Sequence, residues 1–469
     1  TVTFIADKII ATPVVTFYSG GAIVNNTLSY VNTELYTNKW TATYIVDTND
    51  TLGNVTYSIA FTDSYGNVGI PVTSGSGSVD IQNIANWSSV ASMLTIDNFN
   101  ETSLTASDYF GHAVAVHGDT AVIGAWGENF STQNNSGVVY VVNSLTGALL
   151  HTLINPDGTG NLKSNDNFGY SVDISEDYII VGAQSDAAST GYLGAGSVYV
   201  FDRSDYSLLH HIPHPSPDQN YDGFGQSVAI DGKYAIVGAP NEEQYNVAYN
   251  ASDANGGAVY IYDMTGTTPT NYIKKYDNPN RTQRYQMGLD VDVSGDYAIW
   301  GAPYVRSNSY SSAIYIMHIP SDTIKPIYNP AGTGQEYFGL SVAIDGDKFV
   351  VGASNADSGK GRIFVYDTNT LALLHTIDNT NNSTGDAFAS VVDISDNQII
   401  VGAYLEDETG VTDSGKVFIY DALTGNHTRT IDNINADGTG DSDQFGYSVA
   451  VSNEKLIVGA RYEDDASGS

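Results

Sequence analysis

The sequence predicts an all-β protein: a seven-bladed β-propeller preceded by a small β-sandwich. Three observations carry the expectation. One eighteen-residue pattern recurs seven times, each repeat unit holds four strand candidates without an intervening helical run, and the first 85 residues carry a different series of turn-separated alternating strands.

The first copy, "DYFGHAVAVHGDTAVIGA" (108–125), is an alternating apolar/polar run, a tight turn, a second apolar run and a Gly-Ala stop, which reads as a β-hairpin. Variants begin at 166, 222, 285, 336, 386 and 443, so a unit averages about 56 residues. A polar loop then leads to a third strand, such as "GVVYVV" (137–142) or "GKVFIY" (415–420), and a turn to a fourth, such as "LLHTLINP" (149–156) or "LLHTIDN" (373–379). Small sheets repeated in this way favour a radial array, because a linear stack leaves two long open edges. The Phe of each copy is expected between neighbouring sheets, and the glycines to allow close backbone approach. The last copy supplies only two strands. Residues 93–98 ("MLTIDN") are expected to pair with it as a fourth strand, with 77–82 ("GSVDIQ") a candidate third.

Residues 1–85 are assigned to the sandwich, with 1–12 as a linker or the tail of a preceding module and Trp40 as the core ring; residues 86–469 are assigned to the propeller. Asp plus Glu number 53 against 18 Lys plus Arg, a formal net charge of −35, which repels phosphate backbones and anionic lipid and excludes nucleic acid as a partner. Cysteine is absent, so no disulfide or thiolate chemistry is available. No apolar run has the length of a membrane span, so no direct membrane insertion is expected in this segment.

The recurring "FG" followed by "VGA" or "GAP" resembles the FG-GAP repeat family, found in integrin alpha-chain propellers and in microbial surface proteins. Met287 replaces the Phe in the fourth copy and Ala389 the Gly in the sixth. The integrin calcium cage between the two motifs is replaced here by tight turns such as "IDGD" and "VSGD", so those metal sites do not carry over. The amino-terminal series is similar to bacterial and archaeal Ig-like modules, which occur as stalks.

The calcium candidate is "NINADGTGD", where Asn433, Asn435, Asp437 and Asp441 space oxygen ligands around Gly438; related loops that lack the acid leave a plain glycine turn as the alternative. Acidic loops follow the second strand, at Glu242 and Glu243, at Glu406, Asp407, Glu408 and Asp413, and at 463–465. The acid two residues before the motif Phe (Asp108, Asp166, Asp222, Glu336, Asp386, Asp443) reads as a turn cap. His210, His211 and His214 read as a surface strand rather than a zinc site. HExxH, GxSxG and P-loop signatures are absent. The expected function is therefore non-enzymatic: an extracellular protein of a cell or virion surface, presenting a propeller on an Ig-like stalk for adhesion to a glycan or protein. A subunit of a coat, S-layer-like array or virion fibre that binds copies of itself is one alternative. A polysaccharide-active enzyme using the propeller funnel is another.

Overall fold

The computed structural model describes residues 94–99, 108–129, 135–156, 165–186, 194–215, 221–242, 244–246, 251–253, 256–265, 272–279, 286–304, 312–331, 336–379, 383–407, 411–433, 443–452 and 455–462, together with the backbone of seven strands within 2–81. The chain divides into two compact units, 1–91 and 92–469. Among the described residues no helix is long and apolar enough to cross a membrane.

In the first unit, Lys39–Thr43 lies between Val2–Ile5 and Ser29–Asn32 in a three-stranded antiparallel sheet. A four-stranded sheet runs Ala22–Ile23, Val14–Ser19, Gly53–Ala60, Val79–Ile81. Val2–Ile5, expected in a linker or preceding module, thus pairs inside a sheet of this unit. The side chain of Trp40 lies outside the described residues.

In the second unit, six sheets have four antiparallel strands each, and in each the strands follow chain order from the innermost outward. Blade 1 is Phe110–His117, Thr120–Ala125, Val138–Asn143 and Leu149–Ile154; blades 2 to 6 occupy 168–213, 227–277, 291–328, 338–378 and 391–432. The second and third strands are buried on both faces, hence their continuous apolar runs; the fourth is the least covered, with a single buried side chain in blades 1, 2, 5 and 6, such as Leu153 or Ile212, and none in blades 3 and 4. The core is therefore not inside any sheet. It lies between sheets, as where Phe168, Val172 and Val181 of blade 2 pack on Val122, Val139 and Leu153 of blade 1.

The Gly of Gly-Ala meets the residue after the motif Phe or Met across every one of these joints, a glycine in all but one. A Cβ added at Gly124, in the Gly-Ala of blade 1, would fall 2.1 Å from the carbonyl oxygen of Gly169, in the Phe-Gly of blade 2. The same collision pairs Gly182 with Gly225, Gly238 with Gly288, Gly301 with Gly339, Gly352 with Ala389 and Gly402 with Gly446. Gly459 meets Gly111 in the same way, which closes the ring. Backbone thus touches backbone at each joint, a contact that only a residue without a side chain permits.

The expectation of seven blades is corrected to six. The seventh copy forms a two-stranded sheet, Phe445–Ser452 with Lys455–Ala460, set between blade 6 and blade 1. The segments expected to complete it are used elsewhere. Residues 79–81 pair with 53–55 in the first unit, and 94–98 form no strand: Ile96 and Phe99 pack instead on the blade 1 core near Ala450 and Ile457. The seam is held by Ser448, whose hydroxyl donates to the Gly111 carbonyl at 2.7 Å, and by Lys455, which reaches the Gly118 carbonyl at 2.7 Å and the Asp119 carboxylate.

Candidate binding site at the propeller axis

The seven innermost strands line an axial channel of about 470 Å³. At one level of its wall the residue alternates from blade 1 to the seventh sheet, Ala115, Asp173, Ala229, Asp292, Ala343, Asp393, Ala450, and the two terminal alanines are neighbours at the seam. Each aspartate clamps its own strand and the next blade. Asp173 accepts the Ile174 N–H at 2.8 Å and the Ile230 N–H at 2.6 Å; Asp292 accepts those of Val293 and Ile344 at 2.8 and 2.7 Å; Asp393 accepts those of Ile394 and Val451 at 2.7 and 2.6 Å. Asp290 makes a comparable bond to the Val342 N–H at 2.8 Å. Burial pushes Asp173 and Asp393 up to about 7, against the pull of these N–H donors. Asp292 is raised well above the carboxylate range by burial first and by the neighbouring charge of Asp393 next.

The end of the axis where the Phe-Gly pairs begin is built differently. The residue after Phe-Gly is His112 in blade 1, Tyr170 in blade 2 and Tyr447 in the seventh sheet; the residue after Gly-Ala is Trp126, Gln184, Tyr404 and Arg461 in blades 1, 2, 6 and the seventh sheet. These side chains converge. The His112 ring lies 4.7 Å from Tyr170, 5.1 Å from Tyr447 and 5.7 Å from Trp126, while Trp126 stacks on Tyr109 at 4.3 Å and Tyr404 meets Tyr447 edge-on at 5.2 Å. Arg461 lies 3.6 Å over the Tyr447 ring and 4.7 Å from that of Tyr462, and its Nε donates to Gln444 at 2.7 Å. Most of these rings are partly exposed, whereas His112 is 8% exposed. Burial first, and the Arg461 charge next, push His112 down to about 3, so its imidazole is neutral at physiological pH. His112 Nδ1 and Trp126 Nε1 have no hydrogen-bond partner among the described residues. The residue before the motif Phe or Met has positive φ in all seven copies, at Tyr109 (54°), Asn167 (57°), Gly223 (71°), Gln286 (48°), Tyr337 (58°), Ala387 (58°) and Gln444 (58°), so this strained turn belongs to the repeat itself and sets the start of each inner strand.

Of the calcium candidates, Asn435, Asp437 and Asp441 lie outside the described residues. Asn433 is buried and its amide donates to Asp443 at 3.0 Å. Asn155 does the same to Asp166 at 3.2 Å and Asn329 to Glu336 at 2.7 Å, so the recurring acid before the motif braces the end of the preceding fourth strand. Its own carbonyl also accepts an N–H from beyond the Gly-Ala, as from Gly127 to Asp108 at 3.1 Å. Among the described residues no three His, Asp or Glu side chains converge as a metal requires. His211 stacks on Tyr199 at 4.5 Å, and His214 is buried against Glu242 at 3.3 Å, apart from it. Glu242, expected in a solvated acidic loop, is buried and paired to Lys275 at 2.7 Å. Asp407 accepts the Asp413 N–H at 2.9 Å; Glu243, Glu408 and 463–465 lie outside the described residues.

Six segments, 103–142, 153–201, 214–262, 329–366, 378–420 and 430–469, match the family described as FG-GAP repeat. The chain belongs to the FG-GAP repeat family. The stretch left between 262 and 329 holds the copy with Met287 in place of Phe. No curated protein matches the chain. Among solved structures it is similar to hydrazine synthase of Kuenenia stuttgartiensis, at 12% identity over 81% of this chain and 93% of that one, with a TM-score of 0.40.

Proposed function

We propose that this FG-GAP propeller is a non-enzymatic binding domain, and that the protein serves adhesion at an extracellular surface, with the first unit as an Ig-like stalk. The observation that carries the reading is the convergence of Tyr109, His112, Trp126, Tyr170, Tyr447 and Arg461 from three adjacent sheets on one end of the axis. Partly exposed rings with polar edges and unfilled hydrogen-bonding atoms suit a ligand that is flat on its face and polar at its rim. Calcium on the 433–441 loop belongs to the same proposal as a structural ion, and a rise in melting temperature when calcium is returned after chelation tests it.

The coat or array alternative draws on a separate feature. Leu149 and Leu150, Leu208 and Leu209, and Leu373 and Leu374 stand exposed on the outer strands, where copies of the chain would meet. Two measurements separate the readings. Retention of cells, glycans or surface proteins by the immobilised full chain, lost in Trp126→Ala, supports adhesion; concentration-dependent self-assembly, lost when the outer leucines become Ser, supports the array. Failure to retain any ligand in the first assay overturns the adhesion reading.

A further inference from the structure

Arg461 stands apart from most of the partly buried cations of this acidic chain. Lys275, Lys348, Arg362 and Lys416 each hold a carboxylate, whereas Arg461 has none within ion-pair distance among the described residues. Its recorded partners are neutral: the Gln444 amide and the faces of Tyr447 and Tyr462. The groups that feel its charge, Tyr109, His112, Tyr170 and Tyr447, are neutral as well. Gln444 ties down Nε and Tyr447 fixes the plane, so the guanidinium is held flat, and its two terminal nitrogens have no partner among the described residues. That is the fork that grips a carboxylate through two parallel bonds.

Around this cation stand groups of another kind. Trp126 and Tyr109 form a stacked pair, and Trp126 Nε1 and the neutral His112 Nδ1 are unsatisfied. A pyranose ring offers an apolar C–H face to such aromatic planes and hydroxyls to the polar atoms at their edges. A plain apolar carboxylate would leave those atoms unpaired, which is unfavourable in a water-poor site. Resting on the binding-domain reading above, we infer that the crown binds a carboxylate-bearing sugar of an acidic glycan, with Arg461 on the carboxylate and Trp126 under the ring.

The test uses the immobilised full chain, in salt that screens its net charge of −35, and two probes, an oligosaccharide ending in a single uronic acid and the same oligosaccharide with that carboxyl reduced to an alcohol. The expected result is binding of the acidic probe, weakened about 10- to 100-fold by reduction or by Arg461→Gln, with Arg461→Lys intermediate because it keeps charge but loses the fork. Trp126→Ala should abolish binding of both probes, and near-ultraviolet circular dichroism verifies that each variant is folded. Because His112 stays neutral, affinity should be flat from pH 5 to 8 and fall as the ligand carboxyl protonates below about 4. Equal binding of both probes, unchanged by Arg461→Gln but lost in Trp126→Ala, overturns the acidic-sugar inference and leaves the binding domain standing. Binding of a protein but of neither probe does the same. No retention of any ligand overturns both.

Discussion

The aspartates of the channel wall make stability fall as pH rises, in a window fixed by the structure. Asp173 and Asp393 keep their protons to about pH 7 in the folded chain, against an ordinary value of 3.8, and Asp292 is shifted in the same direction. Between those limits the native state holds protons that the unfolded chain has released. The stabilisation is therefore fully present below about pH 4 and is lost as pH rises through about 7. For Asp173 and Asp393 the difference between about 7 and 3.8 corresponds to ~4 kcal/mol per carboxyl. The side chains face the channel and water screens them, so about 1–2 kcal/mol is the effect to expect from each of these two, with Asp292 acting in the same direction. Other groups pull the opposite way. His112 is driven down by burial, and Asp263 and Asp367 are held low by their turn hydrogen bonds, so all three favour folding more as pH rises. The assay is thus a difference: urea midpoints from pH 4 to 8 for the native chain and for Asp173→Ala/Asp292→Ala/Asp393→Ala, which installs the alanine found in the other copies. The native advantage over the variant should shrink by several kcal/mol across the range. Parallel curves would refute the reasoning.

Three further outcomes follow from packing. Gly238→Ala drives a Cβ to 2.0 Å from the Gly288 carbonyl oxygen and should cost about 3 kcal/mol, whereas Gly232→Ala, with nothing within 4 Å, should cost about 1 kcal/mol through its positive φ alone; thermal denaturation of both compares the two roles of glycine. Tyr199→Phe removes the hydroxyl that donates to buried Asp186 at 2.7 Å and should cost about 2 kcal/mol, read by urea denaturation. Lys275→Met strips buried Glu242 of its cation and should cost about 3 kcal/mol, restored in part by Glu242→Gln in the same chain.

The strand order inside each blade was legible because it is local: a hairpin, a third strand and a fourth repeat in register, and alternation or continuity of apolar residues marks which strands are covered. The Gly-Ala and Phe-Gly signals were legible as close-packing residues, but not as partners, since Gly124 and Gly169 belong to different copies. Closure was misread for a related reason. "MLTIDN" has the composition of an outer strand, yet nothing in those residues specifies hydrogen bonding over packing, and Ile96 ends against the blade 1 core. The crown was missed because each contributing copy supplies only one to three residues to it, at positions flanking the motifs where no single copy looks unusual. Reading those columns down the seven copies, His112, Tyr170 and Tyr447 in one and Trp126, Tyr404 and Arg461 in the other, was the available signal. The alternating aspartates were visible in the same way. The acidic loops misled at Glu242 and Glu406, because charge in a loop reads as solvated until the fold buries it, as where the half-buried Lys275 is placed beside Glu242.

Every joint of the ring, including the one that shuts it, is made from the same pair of small residues, so none of the copies is privileged as a beginning. The positions immediately beyond each pair are not needed for that backbone contact, and in blades 1 and 2 and the seventh sheet they gather at the mouth. Scaffold and recognition are thereby written on separate letters of the repeat, and a lineage of such proteins could change what it grasps one copy at a time while the wheel stays true.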